Sequence, residues 1–418
     1  MPELEQMIEA AGARMVERLQ IMRGISQNQE WLERTLFSTA ADEAAQRLKG
    51  WMEGAEMTVT YDGLTNVYGL LPLAPEGPDA PRIHVGSHYD TVVNAGAYDG
   101  TLGVLLAIAV AETVAESKVP FRHNLTALAF CDEEGVRFNT TFLGSAFLSG
   151  QFEKQWLDKP DEDGKTMGEW LVDRAESMDE MLTAKPFIRP QDYFIEAHIE
   201  QGPVLESTNC GLGVFTRIAA QMRAEVELVG CAGHAGTTPA RLRKDPLPVA
   251  SEMVIAVNKL CCSDERIRAT VGYFEVSPNA SNVIPGRVRF TIDLRLPSAD
   301  ALAEASSKLV HELETIAERS NVNYRYTVVH TADDVELDPK LADLLSESCR
   351  TLQESAVRIF SGAGHDSMKI AQVCPVGMLA VRCREGLSHH PDEHASEADC
   401  LLAFRAMLDT VFKLDKEL

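Results

Sequence analysis

Apolar positions recur at helical spacing over residues 3–22 and 41–55, and residues 57–72 alternate as two strands around the turn dipeptide Asp62-Gly63. From 83 to 150 strand-like and helix-like segments alternate. Arg82-Ile83-His84-Val85-Gly86 and Asn124-Leu125-Thr126-Ala127-Leu128-Ala129-Phe130 are runs of strand length, and residues 102–110 are apolar enough for a helix buried against a sheet. Residues 151–190 are polar and charged, with Asp161-Glu162-Asp163-Gly164 a surface turn. From 213 to about 329 the pattern changes. Strand-like runs at 223–229, 268–276 and 287–295 surround helical runs at 246–260 and 300–319, which predicts a separate small α+β domain. Beyond it the earlier style returns, with an apolar strand at 376–381.

Composition narrows the function. A chain of 418 residues exceeds what one hydrophobic core usually covers, so two domains are expected, and 45% apolar residues suffice to fill them. The formal net charge of −24 repels polyanions at long range, which argues against nucleic acid or an anionic membrane surface as partner. The nine cysteines include no Cys-x-x-Cys pair, so neither a disulfide framework nor a thiolate zinc site is expected, and the adjacent Cys261 and Cys262 read as buried apolar residues. Acids at the amino terminus and the absence of any ~18-residue apolar run predict a cytoplasmic protein without a membrane span.

The chemistry gathers where the apolar strands end. Gly86-Ser87-His88-Tyr89-Asp90 closes one strand, Asp99-Gly100 follows, and Asp132-Glu133-Glu134-Gly135 closes the next. Open α/β sheets place their sites in the crevice beyond the carboxyl ends of strands. Asp-Gly turns and acidic caps are common as structure, but a His, an isolated Asp and a Glu pair after successive strands supply the nitrogen and oxygen donors of a two-metal hydrolytic site. A carboxylate bridges two ions where a single nitrogen donor does not, which points to Asp99 as the bridge. In Ile195-Glu196-Ala197-His198-Ile199-Glu200 alternation puts Glu196, His198 and Glu200 on one strand face, and the His favours a ligand over a solvated face. Another strand leads to Ser388-His389-His390, where His389 is the natural last ligand with His390 and His394 close by. In the predicted smaller domain, His234 lies among glycines and Asn282 in a second loop. Arg295 shares the polar face of its strand with Arg289, Thr291 and Asp293, a good position for a carboxylate clamp.

Seven motifs in order resemble the M20 metallohydrolase family, and within it the amidohydrolase and carbamoylase branch. They are His88-Tyr89-Asp90, Asp99-Gly100, Glu133-Glu134-Gly135, His198-Ile199-Glu200-Gln201-Gly202, Gly233-His234-Ala235-Gly236, Gly362-Ala363-Gly364-His365-Asp366 and Ser388-His389. The resemblance implies an α/β, metallopeptidase-like catalytic domain with a central mixed sheet (1–212 and 330–418), interrupted by a smaller α+β lid and dimerisation domain (213–329). It implies two divalent ions per subunit, Mn²⁺ or Zn²⁺, with His88, Asp99 and His198 holding one and Asp99, Glu134 and His389 the other. Asp90 orients His88, Glu133 is the general base, and His234 stabilises the oxyanion, in this family often from the partner subunit. Gln201, Asn282 and Arg295 bind substrate, with assistance from His365. His198 stands where the peptidase branch has a carboxylate, which favours a small ureido carboxylate over a peptide. Stretches such as Leu32-Glu33-Arg34-Thr35, Ala97-Tyr98-Asp99-Gly100 and Val381-Arg382-Cys383-Arg384 favour the members that cleave allantoate, with N-carbamoyl-L-amino acids the alternative substrate and a ureidopropionate or dipeptide next. Ala240 and His390 depart from the family's usual residues and bear on pocket shape.

Other hydrolytic designs are absent. There is no Gly-x-Ser-x-Gly nucleophile elbow, and His311-Glu312-Leu313-Glu314-Thr315 lacks the second His of a helical metalloprotease motif.

Overall fold

The computed structural model describes residues 2–172, 174, 178–353 and 355–417. They form two compact units, the larger spanning Met1–Thr216, Leu337–Ile359 and His365–Leu418, the smaller Arg217–Glu336 and Phe360–Gly364. The hydropathy reading put the limits at 213 and 329 and left Phe360–Gly364 outside the smaller unit.

The larger unit is built on a mixed sheet in the order Thr58–Tyr61, Val67–Leu71, Asn124–Phe130, Arg82–His88, Tyr193–Ile199, Val376–Val381, Leu212–Ile218. Asn124–Phe130, Arg82–His88, Tyr193–Ile199 and Val376–Val381 run parallel, and the pairings on either side of them are antiparallel. Parallel strands covered on both faces need apolar side chains throughout. That is why every residue of Asn124–Phe130 and Val376–Val381 is buried, and why these strands read as near-continuous apolar runs. Helix Thr101–Ser117 is apolar all round and buries residues 101–115, as expected of a helix inside a core. Helices Pro2–Arg23 and Thr39–Gly54 coincide with the first two helical patterns, and Thr58–Tyr61 with Val67–Leu71 forms the hairpin.

The smaller unit is an antiparallel sheet in the order Phe274–Ser277, Arg287–Leu296, Ala220–Val229, Asn323–Ala332, with Arg268–Thr270 also pairing Arg287–Leu296. Val288, Phe290 and Ile292 pack with Met253 and Val257 of helix Pro246–Ser263 and Leu309 and Leu313 of helix Ala299–Glu318. The expected strand over 268–276 is two short ones separated at 271–273, where Gly272 sits. Strand Asn323–Ala332 carried no sequence signal because most of its residues are exposed.

Cys131, Cys210, Cys349, Cys374, Cys383 and Cys400 are buried in the larger unit, whereas Cys231 and Cys262 are exposed in the smaller. Half-buried Cys261 and exposed Cys262 correct the expectation that this pair is buried. Helix Pro246–Ser263 turns Cys262 about half a revolution from Met253, its core-facing residue. No helix among the described residues is long and apolar enough to cross a membrane.

Candidate metal centre

The carboxyl edge of the parallel strands collects the predicted ligands in the larger unit. His88 ends Arg82–His88, and His198 is the penultimate residue of Tyr193–Ile199. Glu133 and Glu134 follow Asn124–Phe130, and Asp99 directly precedes Gly100, the N-cap of Thr101–Ser117. The partial positive charge of that helix amino end favours a carboxylate there. Gly100 has φ +60°, and a Cβ on it would overlap the His88 imidazole, so only glycine lets Asp99 and His88 approach.

Asp99 is shared between two groups. Its Oδ1 lies 3.0 Å from His198 Nε2 and 3.5 Å from His88 Nε2. Its Oδ2 lies 3.2 Å from His389 Nε2, which is also 3.1 Å from Glu134 Oε1. His88, Asp99 and His198 each offer a ligand atom within 4.8 Å of the others, as do Asp99, Glu134 and His389, and also His88, Glu133 and Glu134. These clusters form a candidate metal-binding site, and neither His390 nor His394 belongs to them.

Electrostatics fit a cation. Burial opposes charge on His88 and His198, yet Asp90 and Asp99 beside His88, and Asp99 beside His198, raise both imidazoles above the ordinary histidine value. Hydrogen bonds to Asp99 and Glu134 raise His389 to about 10. The point on which these nitrogens converge is therefore strongly negative. Burial raises the Glu133 carboxyl well above the usual range, with His88 opposing and Glu134 reinforcing. Among the described residues no Lys or Arg forms an ion pair with Asp99, Glu133 or Glu134.

The supporting residues are more varied than the sequence suggests. Asp90 presents its backbone carbonyl to His88 Nδ1 at 3.2 Å, while its carboxylate lies at 3.6 Å. That carboxylate instead accepts the backbone N–H groups of Glu133 and Glu134 at 3.1 and 3.2 Å, so Asp90 sets the loop that bears both acids. Gln201 donates Nε2–H to Asp99 Oδ2 and towards Ser388 Oγ, both at 3.1 Å. The His365 ring stands 4.5 Å from that of His198, edge to face. Burial, then the His198 charge, push its pKa well down, so it is neutral. Glu196 and Glu200, alternating with His198, are structural. Glu196 accepts the hydroxyls of Ser87 and Ser367, and Glu200 accepts the first N–H groups of Val204–Ser207. Asp132, Gln201 and His389 all have positive φ, a left-handed backbone that costs non-glycine residues about 1 kcal/mol each and concentrates at functional sites.

Two residues were missed as parts of this site. Arg34 is fully buried and donates to the carbonyls of Tyr89, Met22 and Ile25 and to Thr101 Oγ1, tying the His88 strand end to the helix after Asp99. Glu393 is buried and accepts the backbone N–H groups of Tyr98 and Asp99. Its only sequence signal is an acid four residues past His389.

The smaller unit holds His234, Asn282 and Arg295. Gly233–His234 pairs with Val283–Ile284, and Ala235 N donates to the Asn282 carbonyl at 3.0 Å, so His234 and Asn282 are neighbours. The Arg295 guanidinium grips Asp293 through Nε and Nη2 at 2.7 and 2.9 Å and the Gly362 carbonyl through Nη1 at 2.6 Å.

Comparisons with known proteins show the family. The family described as Peptidase family M20/M25/M40 matches residues 84–413. An N-carbamoyl-L-amino-acid amidohydrolase from Pseudomonas sp. (strain NS671) is 35% identical over 386 residues, 91% of this chain and 93% of that protein. An allantoate deiminase from Arabidopsis thaliana is 35% identical over 433 residues, 94% of this chain and 81% of that protein. The crystal structure of an amidase of the hydantoinase/carbamoylase family from Burkholderia multivorans superposes with a TM-score of 0.90 at 30% identity, over 97% of this chain and 98% of that one. With the carboxyl-edge site and matches of this extent, the chain belongs to peptidase family M20/M25/M40, on its amidohydrolase branch.

Proposed function

We propose that the protein is a dinuclear metal-dependent amidohydrolase that cleaves the ureido C–N bond of allantoate, yielding ureidoglycine, ammonia and carbon dioxide. The observation that carries this is the division of the Asp99 oxygens between His88 with His198 on one side and His389 on the other. The residues fit two ions: His88, Asp99 and His198 would hold one, and Asp99, Glu134 and His389 the other. An all-nitrogen-and-oxygen donor set suits Mn²⁺ or Zn²⁺. The nearby Cys131 thiol is kept neutral by burial.

A divalent pair bound there supplies Lewis acidity to the scissile carbonyl and lowers the pKa of water. Glu133 takes the proton of the water that attacks the carbamoyl carbon and returns it to the departing nitrogen as the C–N bond breaks. The carbamic acid released falls apart to ammonia and carbon dioxide. Asp90 holds Glu133 and Glu134 in place through their backbone N–H groups. Gln201 and His365 face the substrate from the larger unit. Arg295 uses three of its five N–H groups on Asp293 and Gly362, leaving two for the substrate carboxylate.

His234 and Asn282 are assigned to the oxyanion and the ureido group. The family resemblance supports a homodimer through the smaller unit, with His234 acting from one protomer on its partner.

A second reading, hydrolysis of N-carbamoyl-L-amino acids, is favoured by the Pseudomonas relative, which matches at the same 35% identity as the plant protein. Ammonia release by metal-stripped, Mn²⁺-reconstituted protein, with allantoate and a set of N-carbamoyl-L-amino acids side by side, decides between them. Higher kcat/KM for allantoate is expected. The reverse order makes the protein a carbamoylase, and no ammonia from either substrate class, with dipeptides cleaved in a parallel amino-group assay, overturns both readings.

A further inference from the structure

We propose that Glu393 is a positioning residue that locks the Asp99 turn to the His389 loop, and so sets the affinity of the ion held by Asp99, Glu134 and His389. This rests on the dinuclear reading above. Asp99 and His389 come from segments 290 residues apart in the chain, and neither segment is a strand at the point where its ligand stands. Glu393 connects them. Its Oε1 accepts Tyr98 N–H at 2.8 Å and Asp99 N–H at 3.0 Å, which fixes the backbone from which the shared carboxylate hangs. Its Oε2 lies 3.1 Å from Ser388 Oγ, and that hydroxyl lies 2.9 Å from Asp99 Oδ2, the oxygen facing His389. Ser388 immediately precedes His389, and Glu393 N donates to the His390 carbonyl at 3.0 Å, closing the loop around the ligand.

The packing leaves this carboxylate no other place. Glu393 is 5% exposed, and a Cβ on Gly96 would overlap its carboxyl group, so the Gly96 backbone lies directly against it. No Lys or Arg pairs with it among the described residues. The N–H groups of Tyr98 and Asp99 are therefore its main donors. Buried carboxylates of this kind orient metal ligands, and their loss typically weakens metal binding by about 10–100-fold. Among the described residues His88 and His198 make no hydrogen bond or ion pair with Glu393, and they stand on strand ends, so the ion they share with Asp99 should be less affected.

Substitution separates acceptor geometry from charge and from bulk. In Glu393→Gln, Oε1 still accepts both N–H groups and Nε2 can donate to Ser388 Oγ, leaving the Ser388 hydrogen for Asp99. In Glu393→Asp the charge stays but the reach shortens by one methylene. Co²⁺ is titrated into metal-stripped full-length protein by calorimetry and followed by visible absorption, with His389→Ala for comparison and circular dichroism to confirm folding. The parent and Glu393→Gln should bind two Co²⁺ with affinities within about threefold of each other. Glu393→Asp and Glu393→Ala should bind the first ion like the parent and the second about 10–100-fold more weakly, with the absorption of His389→Ala at low Co²⁺. If Glu393→Ala does not fold, Glu393→Asp decides alone. Two parent-like affinities in Glu393→Asp overturn the inference while the metal centre stands, as does equal weakening of both ions or a Glu393→Gln as weak as Glu393→Asp. A parent that binds no Co²⁺ overturns the dinuclear reading and this inference with it.

Discussion

At the amino end of the parallel strands, Asp192 is surrounded by donors. Its oxygens accept the backbone N–H of Arg82 and Arg189, Nε and Nη2 of Arg189 and the imidazole of His84, at 2.9 to 3.2 Å. Burial would raise its pKa, but His84 and Arg189 outweigh that and bring it to about 2. At the carboxyl end of the same strands, Glu133 is raised well above the carboxylate range, and Asp132 and Asp366 are raised with it, chiefly by burial. One edge of the sheet neutralises its acid with the Arg189 guanidinium, helped by the His84 ring and backbone N–H groups. The other gathers acids and imidazoles with no Lys or Arg ion pair to Asp99, Glu133 or Glu134 among the described residues, an arrangement that suits ions from outside the chain.

The difference can be broken at its centre. Asp99→Ala removes the oxygen pair common to both groups, so metal analysis should find neither ion retained and turnover should fall on the order of 10⁴-fold. Retention of one ion at full affinity would mean that Asp99 is not shared. Glu133→Gln tests the acid that belongs to chemistry more than to binding. Its kcat should drop about 10²–10⁴-fold while metal content and KM stay near the parent's. Simultaneous loss of an ion would instead make Glu133 a ligand with His88 and Glu134.

The smallest effect belongs to the amino edge. Asp192 has a depressed folded pKa, so it contributes stability above its unfolded value near 4 and loses that contribution as pH falls towards about 2. Asp192→Asn should cost on the order of 2 kcal/mol in urea unfolding at pH 7, a difference that vanishes near pH 2. Metal content and kcat per folded molecule should be unchanged. Lost metal would erase the distinction between the two edges.

Burial on both faces makes a strand legible. Val376–Val381 could be read directly because nothing polar interrupts it, and Asn124–Phe130 because only Thr126 does, and their ends marked the site. Asn323–Ala332 could not, since it exposes Val328, Val329 and most of its other residues. In the site, side chains within about four residues of the end of an apolar run were found, His88 and Glu134 among them. Glu393 was not, because His390-Pro391-Asp392-Glu393 reads as a polar surface loop, and Glu393 alone of the four is buried, against Gly96, Tyr98 and Asp99 nearly 300 residues away. Glu196 and Glu200 carried the same alternating signal as His198, and only the hydroxyls and helix N–H groups around them reveal their structural use.

The distribution of thiols has a practical consequence for watching this protein work. With the six cysteines of the larger unit buried and Cys231 and Cys262 exposed, a maleimide dye applied to the native chain reacts in the smaller unit. Cys231 stands three residues before His234, so with Cys262 replaced its fluorophore would report in real time on the environment of that histidine during turnover, with no engineered cysteine.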